Sequence, residues 1–91
     1  ELRGGLSFDG AKLPAGCVVR ARREGDYFEK FGGGTKKLKD YFIDKKIPLR
    51  ERDFIPLIAR GSEVYAVCGV EISAKVKIDR DSGRIYTIIL Q

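Results

Sequence analysis

The chain has 91 residues, with 18 Lys and Arg against 13 Asp and Glu for a formal charge of +5, and it contains no histidine, methionine or tryptophan. That length supports a single domain with one core and leaves no room for a catalytic domain beside a second module. The positive balance favours a polyanionic partner, while the lack of histidine removes the usual general base near neutral pH and the commonest metal ligand, which argues against triad chemistry.

In chain order, "CVVRAR" alternates, with Cys17, Val19 and Ala21 on one face and Arg20 and Arg22 on the other, which predicts a half-buried strand. "GDYFEKFGGG" reads as an ordered loop. "TKKLKDYFIDKK" places Leu38, Tyr41 and Phe42 at i, i+3 and i+4, a helix whose apolar stripe docks on a sheet, ended by Pro48. A polar turn "LRERD" leads to two strands, "IPLIARG" and "EVYAVCGV", joined tightly at Gly61 and Ser62 and apolar on both faces. "EISAKVKID" predicts a strand with Ile72, Ala74, Val76 and Ile78 inward and Ser73, Lys75 and Lys77 outward. "RDSGR" is then a hairpin turn and "IYTIILQ" the closing strand. The expected fold class is α+β: a β-rich, mostly antiparallel, sandwich-like sheet with one principal helix. Cys17 and Cys68 sit among apolar residues and outside any C-x-x-C pair, so both read as small buried hydrophobes rather than a disulfide.

The charge is local. Residues 35–60 hold eight basic and four acidic side chains, so +4 of the net +5 lies in the helix and the turn after it. Within "FGGGTKKLKDYF", three glycines run into a threonine and a lysine-rich segment, as in phosphate-binding loops. A Walker A loop needs G-x-x-x-x-G-K-[ST], so that lysine reaches the terminal phosphates and the next hydroxyl binds magnesium; here Thr35 precedes the lysines and the spacing is wrong. The dinucleotide fingerprint fails too, its third glycine falling at Lys37. The general phosphate-binding design survives: Gly33 and Gly34 permit close approach, Thr35 caps the helix, and the free N–H groups of its first turn face an anion. The bland alternative is that the glycines only lead into the helix and the lysines form a solvated face.

Lysines in a first turn oppose the helix dipole unless an anion is near, which favours the phosphate reading. On the helical wheel Lys36, Lys39 and Lys46 share a side with Ile43, and Asp40 pairs with Lys36 at i+4, so the patch is partly self-neutralised. Tyr27, Phe28 and Phe31 either stack unpaired bases or close the core, the latter being the commoner use in a small domain. Arg50 is a phosphate candidate, while Arg52 and Asp53 serve equally well as a structural pair or as part of a site.

"GGTKKLKDYFIDKKIP", followed by "ERDFIPLI" and "CGVEIS", resembles the C-terminal domain of bacterial tRNA(Ile)-lysidine synthetase, over about Gly25 to Val76. In that family an N-terminal ATP-pyrophosphatase domain adenylates the wobble cytidine of a CAU-anticodon tRNA, and lysine displaces AMP to give lysidine. The resemblance implies a C-terminal domain that recognises tRNA near the acceptor stem and a fold similar to a module of the phenylalanyl-tRNA synthetase β subunit. The family's S-G-G-x-D-S loop is missing here, so no catalytic residue carries over; ATP and magnesium belong to the full-length enzyme and this domain has no cofactor of its own. The tRNA-contacting role maps onto Lys36, Lys37, Lys39, Arg50 and Arg52, with Gly33, Gly34, Thr35 and Lys46 beside them and Arg20, Arg22 and Arg23 as weaker candidates.

The expectation is therefore that residues 1–91 form a single C-terminal tRNA-recognition domain of a larger protein, gripping backbone phosphates and performing no chemistry. With no methionine, Glu1 is not a native start, consistent with a fragment or processed product. No apolar run nears the roughly 18 residues of a membrane span and the first residues lack the basic-then-apolar layout of a signal peptide, so the expected setting is cytoplasmic, without a membrane partner. The rival reading is an interaction module that packs on the catalytic domain of the same protein or completes a homodimer.

Overall fold

The segment after the glycines is taken up by backbone pairing rather than by helix. In the computed structural model, which describes residues 7–87, β3 (Tyr27–Glu29) and β4 (Thr35–Lys37) form an antiparallel hairpin in register Tyr27↔Lys37 and Glu29↔Thr35. Gly32, Gly33 and Gly34 make its turn with φ of 91°, 102° and 82°, a left-handed run that side chains with a Cβ resist. The expected loop 25–34 thus contains a three-residue strand, and the helix starts three residues later than expected. That helix, α1 (Leu38–Asp44), has Lys37 at its N-cap with no side-chain cap bond, so Thr35 does not cap it. Strand pairing satisfies the backbone groups that the helix reading had left over.

The remaining strands are β1 (Ser7–Asp9), β2 (Val18–Arg20), β5 (Leu57–Arg60), β6 (Glu63–Val67), β7 (Glu71–Ile72) and β8 (Ile85–Thr87). A six-stranded sheet runs β2-β5-β6-β3-β4, with β7 pairing the far end of β6; β1 and β8 form a separate antiparallel pair. All pairings are antiparallel except β3 with β6, which meet in parallel at Tyr27↔Glu63. The β5–β6 hairpin turns at Gly61 and Ser62 as expected, and Gly61 has φ 59°.

Both faces of this sheet are covered. On one, Leu38, Tyr41 and Phe42 of α1 meet Phe28, Leu57, Ala59, Val64 and Val67, as the helical spacing predicts. On the other, Phe8, Tyr65, Ala66, Ile72 and Val76 form a second cluster, with Leu13, Cys17 and Ile58 against it. The register slips between Ile58 and Ala59, leaving Tyr65 as the extra residue of β6. That bulge lets Tyr65 and Ala66 both serve the second cluster while Val64 and Val67 serve the first. Both cysteines are free, Cys68 buried and Cys17 partly so.

Several sequence expectations are corrected by longer-range partners. In β2, Val18 and Val19 are exposed and Arg20 turns inward, the reverse of the predicted facing, because Arg20 has a buried carboxylate to meet. "LRERD" forms a short helix, α2 (Leu49–Arg52), with Pro48 at its N-cap; α1 has already ended at Asp44, and Lys46 reverses the chain with φ 57°. "EISAKVKID" is not one strand: Ser73 is buried, accepts the Lys75 N–H at 3.1 Å and starts a 3-10 turn over Ala74–Val76, leaving Ile78 exposed. "RDSGR" does not join a hairpin, since β8 pairs with β1, and Ser82 Oγ donates to buried Asp9 at 2.8 Å. The rest of the expected closing strand, 88–91, lies outside the described residues.

The Tyr41 ring packs edge-on against Phe28 at 5.0 Å. Burial, reinforced by the Glu71 carboxylate, pushes its hydroxyl from 10.0 up to about 12. An unfolded chain gives up this proton first as pH rises, so the stability tied to Tyr41 is complete below about pH 10 and lost as pH climbs towards 12. Denaturation midpoints should fall across that window, and Tyr41→Phe should make the decline shallower. It should not abolish it, because burial and the Glu63 hydrogen bond also raise the Tyr65 hydroxyl. An unchanged alkaline profile in Tyr41→Phe would show that Tyr41 ionises freely in the fold.

Candidate nucleic-acid interface

The loop from Ala21 to Gly25 is held from beneath by a buried ion pair. Arg20 donates from Nη1 and Nη2 to the two carboxylate oxygens of Asp26 at 2.9 and 2.8 Å, and also to the Ala21 and Gly61 carbonyls at 2.9 and 2.7 Å. Asp26 in turn accepts the Arg23 N–H at 2.8 Å, and its carbonyl accepts the Leu38 N–H at 2.9 Å. The hydrogen bonds that Arg20 donates to Asp26 hold its guanidinium above the ordinary value. Asp26 thus ties β2 and the loop together through its carboxylate, and the start of α1 through its backbone carbonyl.

Beside this loop, a cleft of about 550 Å³ is lined by the cations of Arg22, Arg23, Lys37 and Lys39, by the carboxylates of Glu24, Asp26 and Asp53, and by Gly25 and Leu38. A second, more open one of about 540 Å³ shares Gly25 and Lys37 and adds Tyr27, Thr35, Lys36 and Asp40. The β4–α1 junction forms the ridge between them. Arg22 Nε bonds Asp53 Oδ1 at 2.7 Å, and Lys36 bonds Asp44 rather than the expected Asp40. Among the described residues no salt bridge engages Arg23, Lys37 or Lys39. Among the described residues, three cations therefore face one concave surface without a salt bridge; Asp26 and Asp53 there are engaged by Arg20 and Arg22, and Glu24 leaves the four cations of the lining in excess by one, a balance that still favours an external anion.

The expected site residues divide. Thr35, Lys36 and Lys37 line the second cleft, and Lys37 and Lys39 the first. Gly33 and Gly34 lie in the exposed hairpin turn and line neither; their conformation, not the approach of a phosphate, calls for glycine. Lys46, Arg50 and Arg52 line neither cleft. Arg52 has partners within the fold: its Nε donates to the Ile47 carbonyl at 2.9 Å and its guanidinium lies 5.9 Å from the Phe42 ring centroid. Arg50 is exposed on α2. The anion-binding first turn expected of the helix is also corrected, since α1 has only seven residues and its Leu38 N–H is spent on Asp26. Of the aromatic candidates, Phe28 is core, whereas Tyr27 and Phe31 are exposed. Arg22 and Arg23, weak candidates in the sequence, stand in the cleft itself.

Residues 17–88 match the family model described as the TilS substrate C-terminal domain. The chain belongs to that family. The match extends beyond both ends of the stretch that carried the resemblance and takes in Arg20, Arg22 and Arg23. Among relatives of this TilS C-terminal domain, the tRNA(Ile)-lysidine synthase of Caldanaerobacter subterraneus subsp. tengcongensis is 46% identical over 82 residues, which cover 89% of this chain and 18% of that protein. The tRNA(Ile)-lysidine synthase of Clostridium acetobutylicum is 45% identical over 85 residues, 92% of this chain and 18% of that protein. The chain thus spans under a fifth of the curated relatives it matches. A crystal structure of a TILS C-terminal domain superposes with a TM-score of 0.71 at 34% identity, over 96% of this chain and 68% of that one. The β-rich α+β architecture with one main helix is therefore that of the TilS C-terminal domain.

Among the described residues, no group of three or more Cys, Asp and Glu side chains is placed to hold a metal ion, and no helix is long and apolar enough to cross a membrane.

Proposed function

We propose that this domain is the tRNA-recognising accessory part of a tRNA(Ile)-lysidine synthase, and that it holds the RNA backbone in the cleft between the 21–25 loop and the β4–α1 junction. The observation that carries this reading is the convergence of Arg23, Lys37 and Lys39, free of carboxylate partners among the described residues, on a cleft of about 550 Å³. Family membership and relatives named as tRNA(Ile)-lysidine synthases support it.

The mechanism is electrostatic and shape-based. A-form RNA hides its major-groove edges, so cations grip phosphates and 2′-hydroxyls across the shallow groove. Each neutralised phosphate releases counterions, which drives binding and makes it salt-dependent. Lys36 widens the grip along the ridge, and Arg22 joins it when a phosphate displaces the exposed Asp53. The adenylation and lysine transfer, with ATP and magnesium, belong to the rest of the protein, in the cytoplasm where tRNA is modified; the contact falls on the acceptor-stem side.

A second reading has an observation of its own. Val18 and Val19 are 53% and 71% exposed on β2, at the opposite edge of the sheet from β4. An apolar edge strand suits packing on another part of the same protein, and it leaves the basic cleft free.

The test is tRNA binding by the full-length protein carrying Arg23→Gln, Lys37→Gln and Lys39→Gln together. The triple should bind tRNA at least about tenfold more weakly at moderate salt while its unfolding midpoint stays put. A control with Lys77→Gln and Arg80→Gln, exposed on the far segment, should bind like wild type. Unaltered affinity in the triple would remove the site from this cleft.

A further inference from the structure

Phe54 is 84% exposed, more than any other large apolar side chain among the described residues. Its backbone is nevertheless fixed. Its N–H donates to the Glu51 carbonyl at 3.1 Å, and the next residue, Ile55, is tucked against the helix-side core. The preceding residue, Asp53, lines the basic cleft and holds Arg22 at 2.7 Å. Single exposed apolar side chains are common; what sets this ring apart is that an ordered turn holds it in solvent one residue from a residue of the basic cleft.

The charges around it decide which occupant. Arg50 and Arg52 lie on α2 just before Phe54, and Arg22, Arg23, Lys37 and Lys39 line the cleft; against these six cations stand Glu51 on α2 and Glu24, Asp26 and Asp53 in the cleft, which leaves the neighbourhood positive by two. A protein surface apolar enough to cover the ring would have to strip water from these cations, whereas an RNA strand brings its own phosphates to them and offers the flat face of a base to the ring. We propose that Phe54 is a stacking platform for one unpaired nucleobase, so that the RNA taken by this domain is a duplex carrying a single-stranded stretch rather than a continuous duplex. This rests on the reading of the cleft as a phosphate site and adds the class of RNA to it. Arg50, exposed on α2 four residues before Phe54, gains a role there on a phosphate next to the stacked base.

Two synthetic RNAs test this with the full-length protein: a stem with a short single-stranded tail, and the same stem with an abasic tail that keeps the phosphates and lacks the bases. Wild type should bind the tail with bases about 5- to 150-fold more tightly than the abasic one, as expected for one stacked base. Phe54→Ala should collapse that difference to near one without weakening the abasic complex, and Phe54→Trp should preserve it. Because the ring is so exposed, all three proteins should unfold at the same midpoint. Equal binding of the two RNAs by wild type, or a difference that survives in Phe54→Ala, overturns the proposal. So does a Phe54→Ala variant that binds both RNAs normally but exposes new protease sites next to this domain, which would assign the ring to a protein contact. If the Arg23, Lys37 and Lys39 triple still weakens the abasic complex while Phe54→Ala changes nothing, stacking alone fails. If the triple is also without effect, the phosphate site fails with it.

Discussion

Truncating Phe42 to alanine should remove about 3 to 5 kcal/mol of stability, enough to leave the isolated domain largely unfolded at 37 °C. Phe42 is fully buried in the centre of the helix-side cluster, where it joins α1 to the sheet. Its ring also carries the Arg52 guanidinium, whose Nε holds the Ile47 carbonyl, so the α1–α2 connection loses support as well. The cavity cannot close easily, because Leu57, Val64 and Val67 around it are fixed by sheet pairing. Urea or guanidinium denaturation measures the loss directly. A change under about 1 kcal/mol would show that α1 does not dock through this ring.

Asp26→Ala should be comparably severe, at about 3 to 5 kcal/mol, for a different reason. The side chains of Arg20 and Asp26 are only 7% and 2% exposed, so removing the carboxylate strands a buried guanidinium. The Arg23 N–H loses its acceptor too, which frees the 21–25 loop. The fold and the cleft should therefore suffer together, with RNA affinity falling even where the protein is still folded. Replacing both partners, as in Arg20→Met with Asp26→Leu, should recover much of the stability, since no buried charge is left alone. RNA affinity should not recover equally, because the loop still lacks its anchor. Full recovery of binding in that double variant would show that the ion pair does not position the loop.

What the sequence disclosed and what it hid divide along contact range. The Leu38, Tyr41 and Phe42 stripe is legible because a helix repeats every 3.6 residues, and β5 and β6 are legible as apolar runs around a Gly-Ser turn. Thr35 to Lys37 is not, since a polar tripeptide before a helix fits its first turn as well as a strand; only pairing with Tyr27 to Glu29 decides it. The inward turn of Arg20 depends on Asp26, and the β1–β8 pairing joins segments nearly the whole chain apart. Such non-local partners leave no local pattern. The cleft follows the same division. The lysines of "TKKLK" advertise a basic patch, but nothing in the sequence sets Arg22 and Arg23 beside them; the crossing of the 21–25 loop to the β4–α1 junction does. Gly33 and Gly34 could not be placed from sequence, because a glycine run serves a hairpin turn and a phosphate loop through the same freedom at positive φ.

The salt dependence of tRNA binding bears most directly on the cleft as the RNA site. For the full-length protein, log affinity plotted against log salt should be linear, and the Arg23, Lys37 and Lys39 triple should lower its slope by about 2 to 3 units, each lost phosphate contact removing just under one. The Lys77 and Arg80 pair should leave the slope at its wild-type value. A triple with an unchanged slope, or a control pair that loses more than the triple, would contradict the assignment and place the phosphate contacts elsewhere on the protein.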